Sequence, residues 1–276
     1  MVGAGTIVAV CVTLFITLIL PIIIYVMYGV RNKGKGVWTA WLLGAAGFFV
    51  LQILIRTPII SLLSLIPGFQ SFVTEHYVLY CFVLAFTAAL FEVVARLAVA
   101  KIMSKKLTFE RSIAAGLGHG GIEAMVLIGM TYINNLLYIM MINSGTFDTI
   151  VEQTAAMGVD TASLLAIKDS LIHTGAGVFY LAGYERILTM ILHVALSLVV
   201  CYYMSRKETL RGIVICLLCH WAVDFVAPLV NGLATEYMGN VISTNTAYVI
   251  IYIFLTLVAV ASVLTIRRIK AKFDMN

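Results

Sequence analysis

Three histidines, two glutamates, an aspartate and an arginine stand inside stretches that are otherwise apolar. "FEVVAR" carries Glu92 and Arg96, and "GHGGIEA" carries His119 and Glu123. "HVALS" carries His193 and Ser197, and "HWAVD" carries His220 and Asp224. This is the inventory that water attack on a peptide bond needs. A buried glutamate can take the proton of the water. Neutral imidazoles can coordinate an ion such as zinc, which makes a bound water acidic near neutrality. Without a metal, the same histidines and Asp224 can hold the water and the oxyanion. The order in "GHGGIEA" is His-x-x-x-Glu, so it is not the HExxH zinc motif.

Each pair has a plainer reading beside the functional one. On a helix, i,i+4 spacing turns His119 and Glu123 to the same site, with Gly116, Gly118, Gly120 and Gly121 clearing room for a substrate backbone. The alternative is a helix-packing pair whose glycines allow close approach. A lone buried histidine is more often structural, but two more at the depth of His119 point to a shared role. In "HWAVD" the aspartate is one turn from the histidine and can fix its tautomer. Glu92 with Arg96, and Glu185 beside Arg186, also read as charge neutralisation that makes burial tolerable. Arg56 is isolated, and pairing with one of these glutamates is the expectation. "CLLCH" (Cys216, Cys219, His220) matches a haem-attachment pattern, but its apolar setting excludes that use and leaves Cys219 a remote candidate ligand. His76 and His173 fall at the surface.

The elements that position these residues follow from composition. Hydrophobic residues make up 62% of the 276 positions and charged residues 11%, against roughly 25% in a soluble domain. The mean hydropathy is +1.05. The chain is therefore expected to be an all-α, polytopic membrane helix bundle, a single integral membrane domain over 1–276. A hydrocarbon core of roughly 30 Å takes about 20 apolar residues to cross. Seven such runs are read, near 5–29, 37–66, 76–100, 112–142, 178–204, 210–230 and 246–266. Pro58 is expected to kink the second. The N-terminus lacks a basic region, so it reads as a first span rather than a cleaved signal. The pI near 8.9 does not point to nucleic acid, because of where the charges sit. All five cysteines fall in apolar segments, so no disulfide framework is expected.

Basic residues orient the bundle. Arg31, Lys33, Lys35, Lys101, Lys105, Lys106, Arg111, Arg206, Lys207, Arg211, Arg267, Arg268, Lys270 and Lys272 all lie on one side, 14 of the 18 Lys and Arg. By the positive-inside rule the N-terminus is outside and the C-terminus cytoplasmic. Counted from the basic side at about 1.5 Å per residue, Glu92, His119, Glu123, His193 and His220 lie about 11–16 Å deep and Asp224 about 21 Å. The outer connection, 143–177, contains "TASLLAIKDSLIHTG", whose period predicts a short amphipathic helix.

The motif order "FEVVAR", "GHGGIEA", "ERILTMILHVALS", "HWAVD" resembles the YhfC family of intramembrane metalloproteases, over roughly 76–230. That group is similar to the CAAX-protease/bacteriocin-processing (CPBP) superfamily, with its PrsW-type proteases and the non-catalytic scaffold subunit of gamma-secretase. The resemblance implies a Glu/His site on successive helices that cleaves membrane protein or peptide substrates. CPBP proteases carry a Glu-Glu pair with Arg one turn on, then a His one turn after an aromatic, then His followed by Asn or Asp. Here "HWAVD" matches the last of these. His193 has Thr189 where the aromatic would be, and Glu92 is followed by Val93 rather than a second Glu. The expected catalytic set is Glu123 as base with His119, His193, His220, Asp224, Glu92 and Arg96. His119, His193 and His220 are the candidate zinc ligands. A proton-coupled transporter remains an alternative, because mid-membrane His/Glu/Asp chains also relay protons. A non-catalytic scaffold binding a partner helix through the Gly-rich face is a third.

Overall fold

A computed structural model describes residues 1–274 of the chain. Among them, seven helices are long and apolar enough to cross a membrane: Ala4–Arg31, Val37–Leu63, Tyr77–Ile102, Phe109–Ser144, Ala176–Ser205, Thr209–Gly232 and Thr244–Phe273. The shortest has 24 residues, about 36 Å at the α-helical rise, which still exceeds a hydrocarbon core. The protein is a multi-pass integral membrane protein. The span limits lie close to those expected from hydropathy, because a bilayer demands an uninterrupted apolar helix and the sequence supplies little else.

Three spans contain a π-helical stretch: Phe15–Ile19 in the first, Phe49–Arg56 in the second and Ala124–Gly129 in the fourth. Pro58 follows the second of these by two residues, inside the continuous helix Val37–Leu63, where it removes one N–H from the backbone ladder. A short helix that hydropathy did not announce, Phe69–Glu75, precedes the third span.

The chain divides into two compact units. One comprises Met1–Ile24 and Ala124–Ile187. Its core is built from Ala9, Val10, Tyr132, Ile139, Phe147, Leu171 and Phe179. Thr13 Oγ1 donates to the Phe179 carbonyl at 2.7 Å, a satisfied hydroxyl that pins two helices together. The connection 143–177 contains two helices of this unit, Thr146–Ala156 and Ala162–His173. The expected amphipathic helix is the second, with Leu171 buried and Asp169 exposed. Lys168 pairs with Asp148 of the first.

The other unit comprises Tyr25–Glu123 and the chain from Leu188 onward. Here the second and fourth spans meet through small residues. A Cβ at Gly44 would lie 2.0 Å from the Ala115 carbonyl oxygen, and one at Gly118 would lie 2.1 Å from that of Trp41. Only hydrogen fits at either point, which lets dispersion act between two backbones where lipid offers no hydrophobic drive. Val93, Leu192, Leu196, Val200, Cys216 and Val223 fill the core around this crossing. The fifth span is the most enclosed of the seven.

Candidate functional site

Every side chain of the expected catalytic set belongs to the second unit. Glu92 and Arg96 come from the third span, His119 and Glu123 from the fourth, His193 from the fifth, and His220 and Asp224 from the sixth. Glu92, Arg96, His119, Glu123, His193 and His220 are all buried, and Asp224 is part-exposed.

Glu92 Oε2 is the hub. Arg96 Nη1 donates to it at 3.1 Å, and His119 Nε2 lies 2.9 Å away. His220 Nδ1 is 3.5 Å from the same oxygen and His193 Nδ1 is 3.6 Å. The opposite oxygen, Oε1, accepts from Gln52 Nε2 at 2.9 Å. A second contact joins the other glutamate, since His193 Nε2 lies 2.7 Å from Glu123 Oε2. The imidazoles of His119 and His193 stack with centroids 5.3 Å apart, and His220 meets His193 edge-on at 5.3 Å. Three histidines from three helices thus share one interior site with two carboxylates.

Chemical type assigns the protons. A carboxylate only accepts, so a neutral His119 carries its proton on Nε2, toward Glu92. A guanidinium only donates. Arg96 Nη2, 2.6 Å from His193 Nδ1, makes that nitrogen an acceptor and leaves the His193 proton on Nε2, toward Glu123. His220 differs. Its Nδ1 is buried with no hydrogen-bond partner, and its Nε2 lies 3.4 Å from Asp224 Oδ2.

Several expectations change at close range. Arg56 does not turn to a glutamate: its Nη2 donates to the Leu84 carbonyl at 2.7 Å and its guanidinium also reaches Thr87 Oγ1. Glu185 and Arg186 pair with each other in the first unit. The glycines near His119 are closed by protein rather than open to a substrate. A Cβ at Gly116 would lie 2.6 Å from Val194 Cα, and Gly118 faces Trp41. The cysteines are all free, and Cys219 is exposed, outside the cluster. His173 is exposed and pairs with Asp169.

Sequence reasoning missed Gln52, because it screened spans for ionisable groups and an amide is not one. The signal was present: "VLQILIR" sets one amide in the middle of an apolar run.

Residues 16–243 match the YhfC intramembrane metalloprotease family. The chain belongs to this family. The YhfC membrane protein of Bacillus subtilis (strain 168) is a relative, 29% identical over 196 residues, which is 71% of this chain and 74% of that one. No solved structure matches the chain.

The metal that the YhfC family description implies can be tested against the donors present. Donor atoms of Glu92, His119, Glu123 and His193 lie within 4.8 Å of one another, and all four residues are buried. Imidazole and carboxylate donors at that spacing suit a divalent ion such as zinc. His193 is the weakest member, because Arg96 occupies its Nδ1 and the proton sits on Nε2. His220 is the better nitrogen: its Nδ1 has no other partner, and a carboxylate stands behind its Nε2, the usual backing of a metal-bound histidine. The YhfC site fits a metal.

Proposed function

We propose that this YhfC-family protein is a membrane-embedded endopeptidase that hydrolyses peptide bonds of membrane proteins or peptides within or near the bilayer. The observation that carries the reading is the convergence of Arg96, His119, His193 and His220 on Glu92 Oε2, with Glu123 Oε2 2.7 Å from His193 Nε2 alongside. A metalloprotease family supplies the class of reaction.

In this reading Glu92, His119 and His220 would hold the ion, with zinc the candidate. A bound ion would supply a polarised scissile carbonyl and an acidified water. Glu123 is the base. His193 Nε2 stands 2.7 Å from one oxygen of Glu123, and the Glu123 carboxylate takes the proton of the attacking water. Glu123 returns that proton to the departing nitrogen as the C–N bond breaks. Arg96 keeps the His193 proton on Nε2, and Asp224 keeps that of His220 on Nε2 and so leaves its Nδ1 for the ion. The surrounding apolar helices exclude bulk water, which strengthens each of these interactions. In the same reading the N-terminus is outside and the C-terminus in the cytoplasm of a bacterial plasma membrane, an orientation supported by the basic loops.

The test compares purified wild type with Glu123→Ala on membranes from cells lacking the protein, with new N-termini read by labelling and mass spectrometry. Wild type with zinc should generate termini that the variant does not. Identical sets of termini would overturn the assignment.

A further inference from the structure

We propose that Gln52 is the positioning residue of the ion site: its amide holds Glu92 Oε1, so that Oε2 alone is presented to His119, Arg96 and His220. The proposal rests on the reading of Glu92 as an ion-holding residue.

The geometry is specific. Gln52 lies on the second span, is 7% exposed, and donates through Nε2 to Glu92 Oε1 at 2.9 Å. Because a carboxylate only accepts, the amide has one workable orientation there. A carboxylate with both oxygens free could rotate or bind through either one. Fixing Oε1 removes that freedom, and hydrogen-bonded partners of metal-binding carboxylates act in this way. The amide stands within the π-helical stretch Phe49–Arg56, and π-helical turns inside α-helices are frequent at functional sites. The Gln52 carbonyl is taken by Thr57 Oγ1 at 2.8 Å, which supports the altered register. Its Oε1 is buried with no hydrogen-bond partner. An amide serving only to join two helices would cost less with both ends satisfied, so the open acceptor marks the group as part of a polar site that a ligand completes.

The experiment measures Zn2+ binding by titration calorimetry on detergent-purified, chelator-stripped full-length protein, alongside thermal unfolding without metal. Gln52→Met keeps the length of the side chain and removes the donor. Gln52→Asn keeps the amide and retracts it by one methylene, and it serves if the first variant does not fold. Either should bind Zn2+ roughly 10–100-fold more weakly than wild type. If wild type binds and both folded variants match it within about twofold, Gln52 is only a packing residue, even where unfolding shifts. If wild type binds no Zn2+, the ion site itself is wrong and the role of Gln52 falls with it.

Discussion

Arg96 Nη2 approaches His193 Nδ1 to 2.6 Å while its Nη1 holds Glu92 Oε2 at 3.1 Å. One guanidinium thereby ties a carboxylate on its own helix to an imidazole on another, and it dictates which nitrogen of that imidazole faces Glu123. Lysine carries the charge but cannot make two contacts of fixed angle. Arg96→Lys should therefore lower cleavage by about 100-fold or more, in the range of lost acid–base assistance. A wild-type rate would show that something else sets the His193 tautomer. Arg96→Met removes the charge from a buried pair and should cost about 3–5 kcal/mol, read as a lower unfolding temperature in detergent.

Glu123 and the ion-holding residues should separate by assay. Glu123→Gln keeps the shape and loses the base. Cleavage should fall roughly 10²–10⁴-fold, with Zn2+ affinity close to wild type. Strongly weakened Zn2+ binding would move Glu123 into the ion-holding set.

Asp224 stands behind His220, with Oδ2 3.4 Å from Nε2. Asp224→Asn should weaken Zn2+ binding roughly 10–100-fold, as loss of a carboxylate behind a metal-bound histidine does. Unchanged affinity would place His220 outside the ion site.

Close helix approach gives a prediction about stability rather than chemistry. Gly118→Val would drive its side chain into the Trp41 carbonyl, and overpacking of this kind costs typically about 1–3 kcal/mol or more. The exposed Lys35–Glu110 pair, at 2.5 Å, should matter much less. Lys35→Ala should cost under about 1 kcal/mol. Thermal unfolding of both variants checks the contrast, and equal losses would refute it.

Orientation is open to a reporter experiment. A C-terminal green fluorescent protein should fluoresce, and alkaline phosphatase fused in the connection near residue 240 should be active, because each folds on one side of the membrane only. The opposite result at both sites would invert the topology argued from the basic loops.

The sequence by itself determined the spans and the residue types of the site. A bilayer tolerates only long apolar helices, so hydropathy reads out as structure. An ionisable group in such a helix needs a reason to be there, so Glu92, His119, Glu123, His193, His220 and Asp224 stood out on chemical cost alone. Which of them touch, and through which atoms, was decided by tertiary structure. Helical spacing put Glu92 near Arg96 and His119 near Glu123, yet His119 bonds Glu92, and Glu123 meets His193. Those partners lie on different spans, and their meeting depends on the rotation and depth of each helix. Rotation and depth follow from packing such as Gly44 against Ala115 and from the π-helical register at Phe49–Arg56. Gln52 and Arg56 show the same limit from the other side: a polar group in a span must find a partner, but only the packed helices decide which one it finds.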